Sequence, residues 1–151
     1  MDNTYQIRRL RQDEIQAALD LTWEVFLEYE APEYPPEGAE TFRALLDDKE
    51  KTSQMKYWGA FAGDELIGTI CVRAPQHIGG FFVRGEHHRK GVGRALFDAM
   101  RAEYETQVFT VNSSPYAVEV YRHLGFTAAS AEQLADGSRF TPMTYGKQEA
   151  Q

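Results

Sequence analysis

The residues best placed to do chemistry form a basic, glycine-bearing turn, His88-Arg89-Lys90-Gly91-Val92-Gly93-Arg94. It links a stretch that reads as a strand, ending at Val83, to one that reads as an amphipathic helix, beginning at Val92. Gly91 and Gly93 carry no side chain, so a ligand can come close to the backbone there. The first amides of a helix lack an intrahelical acceptor and lie at the positive end of its dipole. An anion at such a place gains on the order of 0.3–1 kcal/mol when exposed. The chemistry that suits this turn is the holding of a pyrophosphate; the plain alternative is a pair of glycines easing a tight bend. Two phosphate motifs are excluded. A P-loop needs Gly-Lys-Ser/Thr, whereas Gly93 is followed by Arg94-Ala95, and a dinucleotide fingerprint wants a third small residue where Leu96 stands.

The second constellation is Asn112-Ser113-Ser114-Pro115-Tyr116-Ala117, followed by Tyr121 and then Gly125-Phe126. Ser114 can cap a helix that starts at Pro115, and Gly125 can close it. Ala117, Val120, Tyr121 and Leu124 then fall on one face. On spacing alone Tyr121 is a core residue of that face.

Other elements must hold these two segments together. Tyr5–Leu10 alternates as a first strand, and Ile15, Ala18, Leu19, Trp23 and Phe26 trace the stripe of a helix that Asp13 can cap and Pro32 stops near Ala31. Ala31–Gly38, with three prolines, reads as a loop before a second helix over about Glu37–Leu46. Tyr57–Ala62 and Leu66–Arg73 flank Gly63-Asp64 as a hairpin, and His77–Val83 makes the next strand. Apolar residues at 92, 95, 96, 99 and 100 mark a helix from Val92 to about Glu105, and Phe109–Val111 is a short strand. Strands near Phe126–Ala129 and Arg139–Tyr145 finish the chain. The order β-α-α-β-β-β-α-β-α-β-β describes an α/β domain with a mixed sheet.

At 151 residues the chain fits a single domain spanning 1–151, able to bury roughly 70% of its unfolded surface. No stretch approaches a membrane span and no leader pattern precedes Tyr5, so the expected location is the cytoplasm. Cys71 lies within an apolar run and is expected to be a buried thiol. A net charge of −7 disfavours nucleic acid as a partner. That charge is uneven: twelve acidic residues between Asp13 and Glu50 face only Arg43 and Lys49, whereas Arg84, Arg89, Lys90 and Arg94 face only Glu86. A compact basic spot on an acidic protein suits a small polyanion. His77, His87, His88 and His123 have no metal-ligand spacing with Cys71 or paired carboxylates, so no metal is expected.

The turn His88-Arg89-Lys90-Gly91-Val92-Gly93 resembles the acetyl-CoA motif of GNAT N-acetyltransferases, Gln/Arg-x-x-Gly-x-Gly/Ala, with His88 in place of the first residue. The block from Asn112 to Phe126 is similar to that family's second conserved segment, with Asn, Ala, and a Tyr four residues before Gly-Phe. The resemblance implies a single GNAT-like domain with a mostly antiparallel mixed sheet and about four helices. It implies that the backbones of Phe81, Phe82 and Val83 pair with the pantetheine arm and that the amides from His88 to Arg94 hold the pyrophosphate. It further implies that Asn112 contacts the arm, that Ala117 leaves room at the thioester, and that homodimers, common in the family, are possible by analogy.

The reaction so implied is direct attack of a primary amine on a thioester. Only about one in a thousand free alkylamines is neutral near pH 7.4, so a base or a water relay helps. By resemblance Tyr121 is the general acid for the departing thiolate, since a tyrosine holds its proton to about pH 10, above a thiol near 8.5. An N–H near Val83 would stabilise the oxyanion. The strand position where several relatives carry a glutamate holds Gly79, Gly80, Phe81 and Phe82 here, leaving the base open among Glu28, Glu30, Tyr34, His77 or water. The acidic 13–50 segment would wall the acceptor side, which predicts a cationic acceptor: a polyamine, a lysine side chain or an aminated small molecule. The rival reading is a catalytically idle acyl-CoA sensor or an interaction domain.

Overall fold

The computed structural model describes residues 5–135 and 137–146. Five α-helices accompany one sheet with strand order β1-β2-β3-β4-β5-β8-β6, β7 pairing with β8 at the side. The strands are β1 (Gln6–Arg9), β2 (Lys56–Ala62), β3 (Glu65–Arg73), β4 (His77–Val83), β5 (Phe109–Ser113), β6 (Thr127–Ala128), β7 (Gln133–Ala135) and β8 (Ser138–Tyr145). The helices are α1 (Ile15–Tyr29), α2 (Pro36–Asp47), α3 (Lys49–Ser53), α4 (Val92–Arg101) and α5 (Val118–Leu124). Every pairing is antiparallel except β4 with β5. No helix among the described residues is long and apolar enough to cross a membrane.

Strand alternation distributes the core over both faces of the sheet. Trp58, Ala60, Ile67, Ile70 and Val72 pack with Leu96, Phe97 and Met100 of α4, while Tyr57 and Cys71 meet Ala18 and Leu19 of α1 on the other side. Cys71 is the buried thiol expected of it, and burial pushes its pKa up to about 12. Phe82 packs with Leu21, Val25 and Phe26, fixing α1 across the middle of the sheet.

The local chemistry moves several expected boundaries. Asp13 does not cap α1: it pairs with Arg11, whose backbone N–H instead donates to Glu14 in a short 3-10 turn before the helix. Pro35 and Pro36 open α2 rather than prolonging a loop, since a helix start needs no amide from its first residue. Helix α4 ends at Arg101 and not near Glu105, because the Gln107 side chain donates to the carbonyls of Arg101 and Tyr104 and turns the chain. Ser114 does accept from the Ala117 N–H, but in a turn, so α5 begins at Val118 and not at Pro115. Val120 points to solvent at 45% exposure, leaving Tyr121 and Leu124 as the buried face. At the far end Gly125 takes φ +111, and the amides of Gly125 and Phe126 return to the carbonyls of Arg122 and Tyr121 in a Schellman closure. The short α3 and β7 have no counterpart in the expected order.

Candidate active site

The site begins with one surplus residue. Cys71 pairs with Gly80 and Val72 with Ile78, so Gly79 is an extra residue in β4, a bulge that bends the strand. Beside it, β4 and β5 pair only at His77–Thr110 and Ile78–Val111, then separate. The Arg84 N–H donates to the Ile67 carbonyl. In an antiparallel ladder bonded and non-bonded pairs alternate. The backbone groups of Val83 and Phe81 therefore face the opening, whereas those of Phe82 face β3. Of the three residues expected to offer backbone to an arm, two are turned to do so.

At the mouth of this wedge, Arg89 has φ +63 and Gly91 φ +82, two left-handed residues that wind the chain into α4. The first N–H of the helix with a main-chain acceptor at i−4 is that of Ala95, which donates to Gly91. The amides of Val92, Gly93 and Arg94 are thus left for a ligand. A Cβ at Gly91 would meet nothing, while one at Gly93 would rest on the Phe81 ring at 3.4 Å. The His88 Nε2–H donates to the Val83 carbonyl at 2.7 Å, and the His88 ring lies 4.9 Å from that of Tyr29. A Cβ at Gly85 would overlap the Tyr29 hydroxyl, so the end of α1 is seated directly on the turn. Free amides, an open backbone and a strand edge lying in line together fit the pyrophosphate and arm of a coenzyme A thioester.

Two cavities meet here. One, about 380 Å3, is lined by every expected coenzyme-binding residue except Lys90, Arg94 and Asn112. The Arg94 guanidinium is instead tied to the His123 carbonyl. The other cavity, about 520 Å3, lies toward α2 and β8 and includes Asn112, Tyr34, Phe42 and Phe140. The Cβ that Gly38 lacks would strike the Gly137 carbonyl, so the β7–β8 turn seats against the start of α2 and brings Ser138 and Phe140 to this wall. Glu30, Phe81, Phe82, Ala117 and Tyr121 line both cavities.

Two ionisable groups therefore stand at the junction. Glu30 follows the last turn of α1; burial, set against a hydrogen bond with Ser114 and supplemented by the nearby charge of Glu33, raises its pKa to about 7. Tyr121 is buried between Phe81 and Phe126, and desolvation, then the proximity of Glu30, pushes its pKa well above the usual value. The other base candidates are placed differently. Tyr34 lines only the α2-side cavity, and burial raises its pKa. Glu28 faces solvent in a separate hollow with Glu24 and Arg84. His77 sits at the closed end of the wedge on Thr110, with burial and Arg73 lowering its pKa to about 4. Ser114, expected only as a helix cap, also lies on the same cavity wall as Glu30, a residue far from it in the chain.

A family model described as the acetyltransferase (GNAT) domain matches residues 30–147. The chain belongs to this family. It is similar in fold to a GCN5-related N-acetyltransferase from Rhodopseudomonas palustris, with a TM-score of 0.81 and 20% identity over 97% of this chain and 98% of the other. It is also similar to PaiA N-acetyltransferase from Thermoplasma acidophilum in complex with coenzyme A (TM-score 0.77, 18% identity, 95% and 99% covered). A third likeness is to apo-form YjaB from Escherichia coli (TM-score 0.71, 18% identity, 94% and 97% covered). No curated protein matches. The α/β architecture expected from the sequence is thus that of the GNAT fold, with a fifth helix beyond the four expected.

Proposed function

We propose that this chain moves an acetyl group from acetyl-CoA to a primary amine. The observation that carries the reading is the junction itself: Glu30 and Tyr121 are the ionisable groups shared by the cavity with the helix-start amides and the cavity with room for an acceptor. The acceptor arrives as an ammonium ion. Its proton passes to the Glu30 carboxylate, which a pKa of about 7 suits as a base near neutral pH. The freed nitrogen attacks the thioester carbonyl, the N–C bond forms, and the oxyanion takes a hydrogen bond from the Val83 N–H. As the C–S bond breaks, the acylated nitrogen loses its second proton to water, and Tyr121 gives its proton to the thiolate and is reprotonated from solvent. Glu30 releases its proton to solvent to complete the cycle. Glu30 thereby fills from α1 the role that a strand glutamate fills in several relatives, which favours an enzyme over an idle acyl-CoA sensor.

The first test is calorimetric titration with acetyl-CoA, which needs no knowledge of the acceptor. One-to-one binding in the micromolar range, followed by thiol release with an amine panel, is the expected result. No heat at millimolar acetyl-CoA refutes the coenzyme site and with it the transferase.

A further inference from the structure

The charges around the acceptor-side cavity are unevenly placed. Glu30 marks the end shared with the coenzyme-side cavity. At the opposite end Lys51, Leu45, Gly79 and Asn112 are shared with a third cavity of about 530 Å3, which adds Arg73 and His77. Arg73 and His77 are cross-strand partners at the closed end of the wedge. Among the described residues neither Lys51 nor Arg73 forms an ion pair. Asp48, the remaining carboxylate on this wall, is engaged as the cap of α3, accepting from the Lys51 backbone N–H. Between the two ends the wall carries four phenylalanines, Phe26, Phe42, Phe82 and Phe140, interspersed with the hydroxyl side chains of Tyr34, Thr41 and Ser138. Of the acidic residues between Asp13 and Glu50, only Glu30 and Asp48 reach the cavity.

A molecule with its amine at Tyr121 would run along this aromatic wall and present its far end to unpaired cations. A second ammonium there meets like charge, whereas an anion gains an attraction that no protein carboxylate already uses. A volume of about 520 Å3 is of small-molecule size. We propose that the acceptor is a single-amine molecule with an aromatic or similarly apolar body and an anionic group, a carboxylate being the simplest, at the end remote from the amine. This rests on the transferase reading above and narrows it away from polyamines.

Thiol release by the full chain at saturating acetyl-CoA distinguishes three amines: para-(aminoethyl)benzoate, phenethylamine and spermidine. The expected order of kcat/KM is that order, the benzoate leading phenethylamine by about tenfold, with the lead abolished in Lys51→Glu. Arg73→Ala gives the same readout should Lys51→Glu melt early. Spermidine as the best substrate, or an unchanged lead in folded variants, overturns the proposal. Calorimetry of the benzoate into protein saturated with coenzyme A separates the two readings. Binding that is lost in Lys51→Glu, with no thiol release from any amine, upholds the anion-binding end and refutes transfer. No binding of the benzoate alongside turnover of phenethylamine refutes the anion-binding end and upholds transfer.

Discussion

On the β4–α4 side of the cleft much of what is open is backbone, the amides of Val92, Gly93 and Arg94 and the strand edge at Phe81 and Val83, with side chains such as His88 and Arg89 around it. On the side formed by α1, α2 and α3 the groups that face the cavity are side chains: Glu30, Tyr34, Phe42 and Lys51. A backbone surface is nearly indifferent to substitution, provided glycine is kept where φ demands it. A side-chain surface is remade by each replacement. The first arrangement suits a moiety that never varies, such as a coenzyme, and the second suits a substrate that differs from one relative to the next.

The sharpest way to test this division is at the residue where the two sides meet. Tyr121→Phe removes a proton donor and keeps the ring packed between Phe81 and Phe126. Turnover should drop by about 100-fold or more while acetyl-CoA affinity, read by calorimetry, stays within about twofold. Equal turnover would take the acid role from this residue.

Gly91→Glu comes next. There is room for a side chain, but φ +82 strains any L residue, and on the proposed reading the new carboxylate would repel the pyrophosphate from the helix-start amides. Acetyl-CoA binding should weaken by about 100-fold, with Gly91→Ala showing only the strain, about tenfold. If both variants bind as the parent does, the backbone half of the comparison fails.

Glu30→Gln should lower kcat/KM by about 30-fold near pH 8, a smaller loss because some amine enters already neutral. With a pKa raised to about 7, Glu30 is a competent base above that pH, so the parent loses activity as pH falls through 7 and the variant has no such limb. The same shift bears on stability. Between 4.5 and about 7 the folded chain holds a proton that the unfolded chain releases. Stability therefore falls as pH rises through that window, by about 3 kcal/mol, and Glu30→Gln should flatten the fall in a chemical-denaturation series. A limb that survives in the variant assigns the base elsewhere.

The smallest effect expected is that of salt. Most carboxylates of the 13–50 segment lie outside the cavity. Raising ionic strength from about 0.01 to 0.5 M should cut kcat/KM for a cationic amine no more than about threefold. A tenfold loss would show that the outer field, and not the cavity, governs the encounter.

The two sides also differed in how far the sequence disclosed them. The glycine turn is local: a strand, two glycines and a 3.6-residue stripe are neighbours in the chain, and the span His77–Val83 matches the strand at both ends. The acceptor wall is assembled from α1, α2, β5 and the β7–β8 turn. Glu30 gains its environment from Ser114 and Tyr121, contacts that no nearby residue announces. The elements that were missed share this property. Helix α3 (KEKTS) carries no apolar stripe, and β7 is an exposed three-residue strand defined only by its pairing to β8. The register that turns Phe81 and Val83 toward the opening depends on a bulge, which exists only once β3 and β4 are paired.

The surplus residue Gly79 leaves β4 and β5 with two unsatisfied borders inside a sheet that is otherwise closed at that place. Such borders normally occur at the rim, where they attract foreign strands and are blunted by charge or by cover. Here the gap is closed at Ile78 and Val111 and widens outward. An amide-bearing chain without side groups is the kind of filler that it admits. A coenzyme arm lying there would act as a substitute strand, completing a ladder that the protein's own sequence leaves open. Its arrival should protect the amides of Phe81 and Val83 from hydrogen exchange, joining the two halves of the sheet into one cooperative unit.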